Sequence, residues 1–377
     1  MLGPYYTKKD KKLGYRGNNI YDALDNVLAG QYTLAEAENR VKSFSEQKYW
    51  GAIARINHQI NMSSNLFFGE MNALFTLLPL TTRMISSPGA VYGREAISYT
   101  TDVCPISLEW FDLPNKAFLS ESSQIYLELS VLQHQVDHVY SVYNSFRKEN
   151  VDASHLSEFH HIEYEGAVDQ VANKEIIRQL LFRVIQDLLK HNEADLSVFL
   201  SQDRLNQLDE VSRSQKITEL TFEEALAALY EDTKDEIYNK FTLEHFGSWE
   251  EVRLTEIYGG FLAISEFPLL EVPFYHAEMK GRDRRVANNT DYIWPGYRET
   301  IGSGQRVGTL DQLKEKAEVF NLPEEDYACY LQSRTLDNYR ETSGFGVGWE
   351  RLIHGLLEMP YIWSAVQFPR TNVTLKP

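Results

Sequence analysis

The chain has only two cysteines in 377 residues. Cys104 and Cys329 are far apart and in no metal-like spacing. That argues against a disulfide framework or a thiolate metal site and makes reduced thiols in a cytoplasmic protein the expectation. Long apolar runs are missing too, since no stretch reaches the roughly 18 residues a membrane helix needs. The opening MLGPYYTKKDKK lacks the apolar segment of a secretory signal. Positive charge is scarce: 37 Lys and Arg stand against 54 Asp and Glu, for a net charge of −17. Broad binding of nucleic acid through phosphate neutralisation is therefore disfavoured, while a local basic site on an acidic body stays open. The one dense basic patch, KKDKK at 8–12, reads as a solvated tail. No internal repeat and no low-complexity linker divides the chain.

Apolar material is ample, with 43% hydrophobic and 12% aromatic residues. The length suits one large enzyme domain with an appendage. We place an N-terminal extension at 1–50, an irregular arm followed by helix, and the main domain at 51–377. Val41, Phe44, Ile53, Ile56 and Ile60 recur at near-helical intervals. Helical character continues through SSNLFFGEMNALF and stops before TLLPL, where Pro79 closes an extended segment. KAFLSES and DHVYSVYNSFRKE alternate as strands do, around a helix predicted over SQIYLELSVLQHQ. Ile176, Ile177, Leu180, Leu181, Val184, Leu188 and Leu189 form a wide apolar helix face. Polar helices fill 200–240. A second strand-rich block starts near 258 and ends in the glycine strand and helix of GFGVGWERLIHGLLEMPYIW. Strands split by long helical insertions predict an α+β fold with a mainly antiparallel sheet.

Three stretches carry candidate chemistry. In FRKENVDASHLSEFHHIEYEG (146–166), side chains of a strand alternate faces, so Arg147 and Glu149 share one face of the first arm. Phe159, His161, Glu163 and Glu165 share one face of the second. A guanidinium, an aromatic ring and carboxylates on one face suit a nucleotide, although a solvated surface hairpin would look similar. His160 and His161 point to opposite faces and cannot chelate one metal. In GFGVG, Gly344, Gly346 and Gly348 fall at every second residue, and Trp349 stands where a dinucleotide fingerprint needs its third glycine. Such a strand offers a flat floor for a planar base, with Arg351 reaching over it; the alternative is close strand–helix packing with Arg351 in a salt bridge. In NNTDYIWPGYRETIGSGQRVG (288–308), Asp291 and Glu299 can lie on adjacent strands and hold Mg²⁺ together with substrate phosphates. Gly302 and Gly304 let backbone approach a ligand, and Arg306 can receive a carboxylate or amide oxygen. An ordinary charged turn is the alternative.

Taken in order, these stretches resemble the signature motifs of class II aminoacyl-tRNA synthetases, nearest the aspartyl/asparaginyl subgroup and its asparaginyl members. Pro79 resembles the motif 1 proline of the dimer interface, FRKE…EFHHIEYE motif 2, and GFGVGWERL with VQFPRT motif 3. LSESSQIYLE, ELTFEEAL, AISEFP and DYIWPGYRETIGSGQR parallel asparaginyl-type segments. The resemblance implies a class II antiparallel sheet flanked by helices, a homodimer, and ATP with Mg²⁺ as cofactors. It implies that Arg147 binds the α-phosphate, that Phe159 and Arg351 sandwich adenine, and that Arg351 also meets the γ-phosphate. Glu149, His155, Gly346 and Gly348 complete the ATP site, Asp291 and Glu299 hold the metal, and Gln124, Glu163 and Arg306 line the amino-acid pocket. Leu127 stands where aspartyl enzymes place a lysine, and Glu163 where they carry aspartate, so a neutral amide such as asparagine is favoured.

The departures from the pattern set the acceptor expectation. No barrel-like strand series precedes the catalytic match, where the family carries an anticodon-reading β-barrel. Pro88 stands where a glutamate grips the substrate ammonium, Val272 replaces a lysine, and YIWS (361–364) replaces Asn-Ile-Arg-Asp. In the motif 2 loop a residue is missing, and Ser154 replaces the arginine expected before His155. The leading expectation is an ATP-dependent ligase that activates asparagine or a relative and passes the acyl group to ammonia, an amine or a carrier. The alternatives are a true asparaginyl- or aspartyl-tRNA synthetase, with tRNA as partner, and a non-catalytic regulatory paralogue.

Overall fold

The computed structural model describes residues 33–86, 105–148, 153–359 and 361–376, together with the backbone of three short strands before residue 22. Those strands, β1 (Tyr6–Lys9), β2 (Lys12–Tyr15) and β3 (Asn18–Tyr21), form an antiparallel meander where an irregular arm was expected. Alternation over such four-residue runs, interrupted by glycine, is too short to register as a strand pattern.

Helix α1 (Leu34–Glu46) opens on a capping box between Thr33 and Glu36, and α2 spans Tyr49–Glu70. The break at residues 47–48 resets the helical phase, so Ile53, Ile56 and Ile60 are buried while Val41 is exposed. α2 also stops earlier than its apolar run suggests. Asn72 turns left-handed at φ 59°, and Leu74–Phe75 becomes a short strand, β4. Beyond it lie β5 (Thr81–Thr82), β6 (Ser107–Leu108) and β7 (Ala117–Leu119), a small sheet of its own. The predicted helix over 123–135 shortens to α3 (Gln124–Ser130).

The main sheet has eight strands. The hairpin β8 (His138–Phe146) and β9 (Glu158–Gly166) is followed by helices α4 (Gln170–His191), α5 (Glu193–Leu196) and α6 (Gln202–Ser214). Next come β10 (Thr218–Thr221), α7 (Phe222–Thr233), α8 (Ser248–Tyr258) and β11 (Leu262–Ser265). β12 (Asn289–Ile293), β13 (Glu299–Gln305), α9 (Leu310–Val319), α10 (Glu324–Gln332), β14 (Ser343–Gly348) and α11 (Trp349–Leu356) complete it. The order is β10-β11-β12-β13-β14-β9-β8-β4. The inner pairings are all antiparallel, as expected, and the two edge strands pair parallel. β10 lay inside a stretch read as polar helix, because four residues before the Thr221–Glu224 capping box carry little strand signal. The architecture is therefore a large mixed sheet flanked by helices.

The main core lies on one sheet face, where Ile53, Ile56 and Phe68 of α2 meet Ile177, Leu180, Val184 and Leu188 of α4 over Tyr164 and Phe345. Ile176 and Leu189, predicted on the same face, pack at its margin. Among the described residues no helix is long and apolar enough to cross a membrane.

Candidate active site

The hairpin presents its alternate residues as strand geometry requires. His160 turns away from the cleft, its Nδ1 2.6 Å from Glu350 Oε1 and its backbone N–H donating to Glu350 Oε2 at 2.9 Å. Its neighbours Phe159 and His161 turn toward the cleft and meet edge to face at 4.9 Å. The Arg147 guanidinium lies 5.2 Å from the centre of the Phe159 ring. Burial, reinforced by the cations of Arg147 and Arg351, pushes His161 well below its ordinary value. His161 is thus neutral, and its 3.4 Å approach to Glu163 is a polar contact without an ion pair. Glu149 and Pro88 lie outside the described residues.

The glycine strand sits between β13 and β9, with Gly344 opposite Glu165 and Gly346 opposite Glu163. The bare floor expected there is only partly bare. A Cβ on Gly344 would fall 2.0 Å from Glu165 Oε2 and 2.6 Å from Arg306 Nη2. A Cβ on Gly346 would lie 3.2 Å from the Glu163 side chain. Two of the three glycines therefore make room for buried carboxylates. One part of the cleft is bounded by Gly346, Gly348, Phe159, Arg147, His155 and Arg351.

Deeper in the same cleft the acids gather. Asp291 on β12 and Glu299 on β13 both reach over Gly302, where a Cβ would meet Glu299 Oε1 at 2.8 Å and Asp291 Oδ1 at 3.7 Å. Burial, then Glu299 and Glu251, push Asp291 well above the usual carboxylate range. Glu251, on α8, was not anticipated. Its Oε2 accepts from the Glu299 backbone N–H at 3.1 Å and from Arg298 Nε at 3.3 Å. Arg351, in the first turn of α11, donates through Nη1 to the Glu299 carbonyl at 2.9 Å and lies 3.5 Å from its carboxylate. Desolvation, with Arg298 nearby, pulls Arg351 below its ordinary value.

At the other end the three predicted pocket residues converge, organised by a fourth. Glu165 accepts from Gln124 Nε2 at 2.6 Å, and from Arg306 Nη2 at 2.7 Å and Nε at 3.1 Å. Gln124 also donates to the Tyr164 carbonyl at 2.9 Å. Glu165 was legible as a member of the hairpin face, but its task of orienting Gln124 and Arg306 was not. His276 lines this end in the room left by Gly304, since a Cβ there would sit 2.1 Å from its Nδ1. Val272, where a lysine was expected, is buried.

Glu163 accepts from Ser122 Oγ at 2.8 Å, yet burial raises its carboxyl to about 7 despite help from Tyr143, Ser122 and Arg306. The folded state thus holds this proton where the unfolded chain has released it, so its stability contribution is largest below about pH 4.5 and falls as pH rises through about 7. Wild type is expected to show a thermal midpoint that falls between pH 5 and 8, and Glu163→Gln to flatten that fall. An unchanged profile would contradict the assignment.

A family model described as tRNA synthetases class II (D, K and N) matches residues 92–372. The chain belongs to that family. Among curated relatives, an asparagine–tRNA ligase from Desulforamulus reducens is 27% identical over 360 residues, covering 93% of this chain and 78% of the relative. One from Thermus thermophilus is 28% identical, covering 92% and 77%. Asparaginyl-tRNA synthetase from Pyrococcus horikoshii, solved with asparaginyl-adenylate, superposes with a TM-score of 0.78 at 24% identity, covering 97% of this chain and 79% of that one. The Entamoeba histolytica asparaginyl enzyme gives 0.75 at 17% identity over 97% and 77%. The two structures speak for the class II fold alone. The curated relatives are ligases, in keeping with the resemblance read from the motifs.

Proposed function

We propose that this synthetase-family chain is an ATP-dependent ligase that activates asparagine or a related amino acid as its adenylate. One observation carries the reading. A single cleft holds Arg147 against Phe159, Arg351 beside the Asp291/Glu299 pair, and Gln124, Glu163 and Arg306 at its far end. Those groups suit a nucleoside triphosphate whose α-phosphate faces an amino-acid carboxylate. Arg147 would hold the α-phosphate, Phe159 and Arg351 would sandwich adenine, and Arg351 would also meet the γ-phosphate, with His155, Gly346 and Gly348 around them. Arg306, already paired with Glu165, and a Glu163 whose carboxyl burial raises to about 7 favour a neutral amide over a second carboxylate.

Mg²⁺ fits the acids present. The donors over Gly302 are oxygen only, and burial followed by repulsion from Glu299 and Glu251 raises Asp291, a cost that a divalent ion offsets. Among the described residues no group of three or more His, Cys, Asp or Glu is spaced to hold a metal by itself. Asp291 and Glu299 would hold the ion jointly with substrate phosphate and water, and it would neutralise charge developing on the phosphates.

For the acceptor we favour a small amine, ammonia or a carrier. The net charge of −17 and the absence of an arginine at Ser154 support this. Transfer to tRNA is the second reading, favoured by the names of the relatives. A homodimer is supported by Leu74, Phe75, Leu77 and Leu80, exposed apolar residues around β4, and sedimentation equilibrium tests it. Pyrophosphate exchange across a panel of amino acids, with and without tRNA, tests the whole. Asparagine-dependent exchange without tRNA charging is expected. Charging would move the acceptor to tRNA, and no exchange with any carboxylate would remove the activation reading.

A further inference from the structure

Arg298 stands in the turn between β12 and β13, outside every group assigned so far. Its Nη1 donates to His155 Nε2 at 2.9 Å and to Ser154 Oγ at 3.1 Å, while its Nε reaches Glu251 Oε2 at 3.3 Å. The same Nη1 lies 3.4 Å from His155 Nδ1, so the guanidinium is within reach of both ring nitrogens. One side chain therefore ties the lip of the hairpin, the acid cluster on α8 and the start of β13 together. The lip is braced from outside as well. The Ile362 N–H donates to the Ala153 carbonyl at 2.8 Å, and Leu156 packs among Tyr361, Ile362, Trp363 and Ala37 of α1.

Arg298 also completes a convergence of charge. Arg147, Arg298 and Arg351 line one cleft, and the first two both act on Arg351 through space. Three cations gathered in a partly buried site repel one another, and a polyanion relieves that repulsion far better than the single carboxylates nearby.

We propose that Arg298 is the positioning residue of the phosphate end, fastening the hairpin lip and holding His155 over the polyphosphate of a nucleoside triphosphate. Its guanidinium reaches Ser154 from the β12–β13 turn. This rests on the nucleotide reading above, and the test separates the two. MgATP affinity is measured by calorimetry on the full chain for wild type, Arg298→Gln, Arg298→Lys, His155→Ala and the Arg298→Gln/His155→Ala pair. Arg298→Gln is expected to bind about 10- to 100-fold more weakly, the range of a charge-assisted hydrogen bond, with partial recovery in Arg298→Lys. Because Arg298 acts through His155, the double variant is expected to bind no worse than the weaker single one. In exchange assays the KM for ATP should rise while the KM for asparagine stays unchanged, a split that a merely structural residue would not give. The inference is overturned if Arg298→Gln binds MgATP as wild type does, or if the two penalties simply multiply. Wild type that fails to bind MgATP removes the nucleotide reading and this inference together.

Discussion

Arg351→Ala is expected to lower asparagine-dependent pyrophosphate exchange by about 10²- to 10³-fold or more, the loss typical of deleting one preorganised charge at a reacting phosphate. The guanidinium occupies the junction of the site, donating to the Glu299 carbonyl while lining the cleft opposite Arg147 and Phe159. Stability should move little. Burial and the neighbouring Arg298 already disfavour the charge on Arg351, so its removal relieves repulsion as well as breaking a 3.5 Å contact to Glu299. The two readouts therefore part company: exchange collapses and the thermal midpoint holds. Arg351→Lys should keep part of the activity, since a point charge replaces the cation but cannot stack as a planar fork. Exchange within threefold of wild type in the alanine variant would falsify the assignment.

Arg351 was legible because it follows an unmistakable glycine strand by one helical turn, and local geometry alone places it. The same holds for Phe159, His161, Glu163 and Glu165, whose shared face follows from the period of a strand whatever its neighbours are. Glu251 had no such signal. GSWEEVRLTE reads as an ordinary acidic helix, and only the packing of α8 beside β11 and β12 brings its carboxylate to the Glu299 backbone N–H. Arg298 was hidden for a related reason, since a turn residue shows no periodicity and its hairpin partners Ser154 and His155 lie more than a hundred residues earlier. The glycines at 344 and 346 were read as a floor because a missing side chain marks space without naming its occupant. The register opposite Glu165 and Glu163 supplies the occupant. The helix ending at Glu70 was misplaced because an apolar run continues across Asn72, whose left-handed backbone the apolar pattern cannot report.

Arg306→Met should cost both fold and function, by different routes. Arg306 is 2% and Glu165 0% exposed, and the pair is held by Nε and Nη2 together, with Tyr275 stacked 5.0 Å from the guanidinium. Taking away one partner leaves Glu165 as a buried anion with Gln124 as its remaining side-chain donor. Breaking such a pair typically costs about 3–5 kcal/mol, visible as a lower urea midpoint with an unchanged slope. Replacing both charges is a different perturbation. In Arg306→Met/Glu165→Leu no charge is stranded, and much of that loss should return, because a well-packed apolar pair is often as stable as the ion pair it replaces. Exchange should remain absent in the double variant, since Gln124 loses the carboxylate that orients it and the pocket loses its only arginine among the described lining residues at that end. Stability restored without activity would mark the Glu165–Arg306 pair as part of substrate recognition. Activity restored along with stability would show that the pair serves only the core and would shift the amino-acid site away from Arg306.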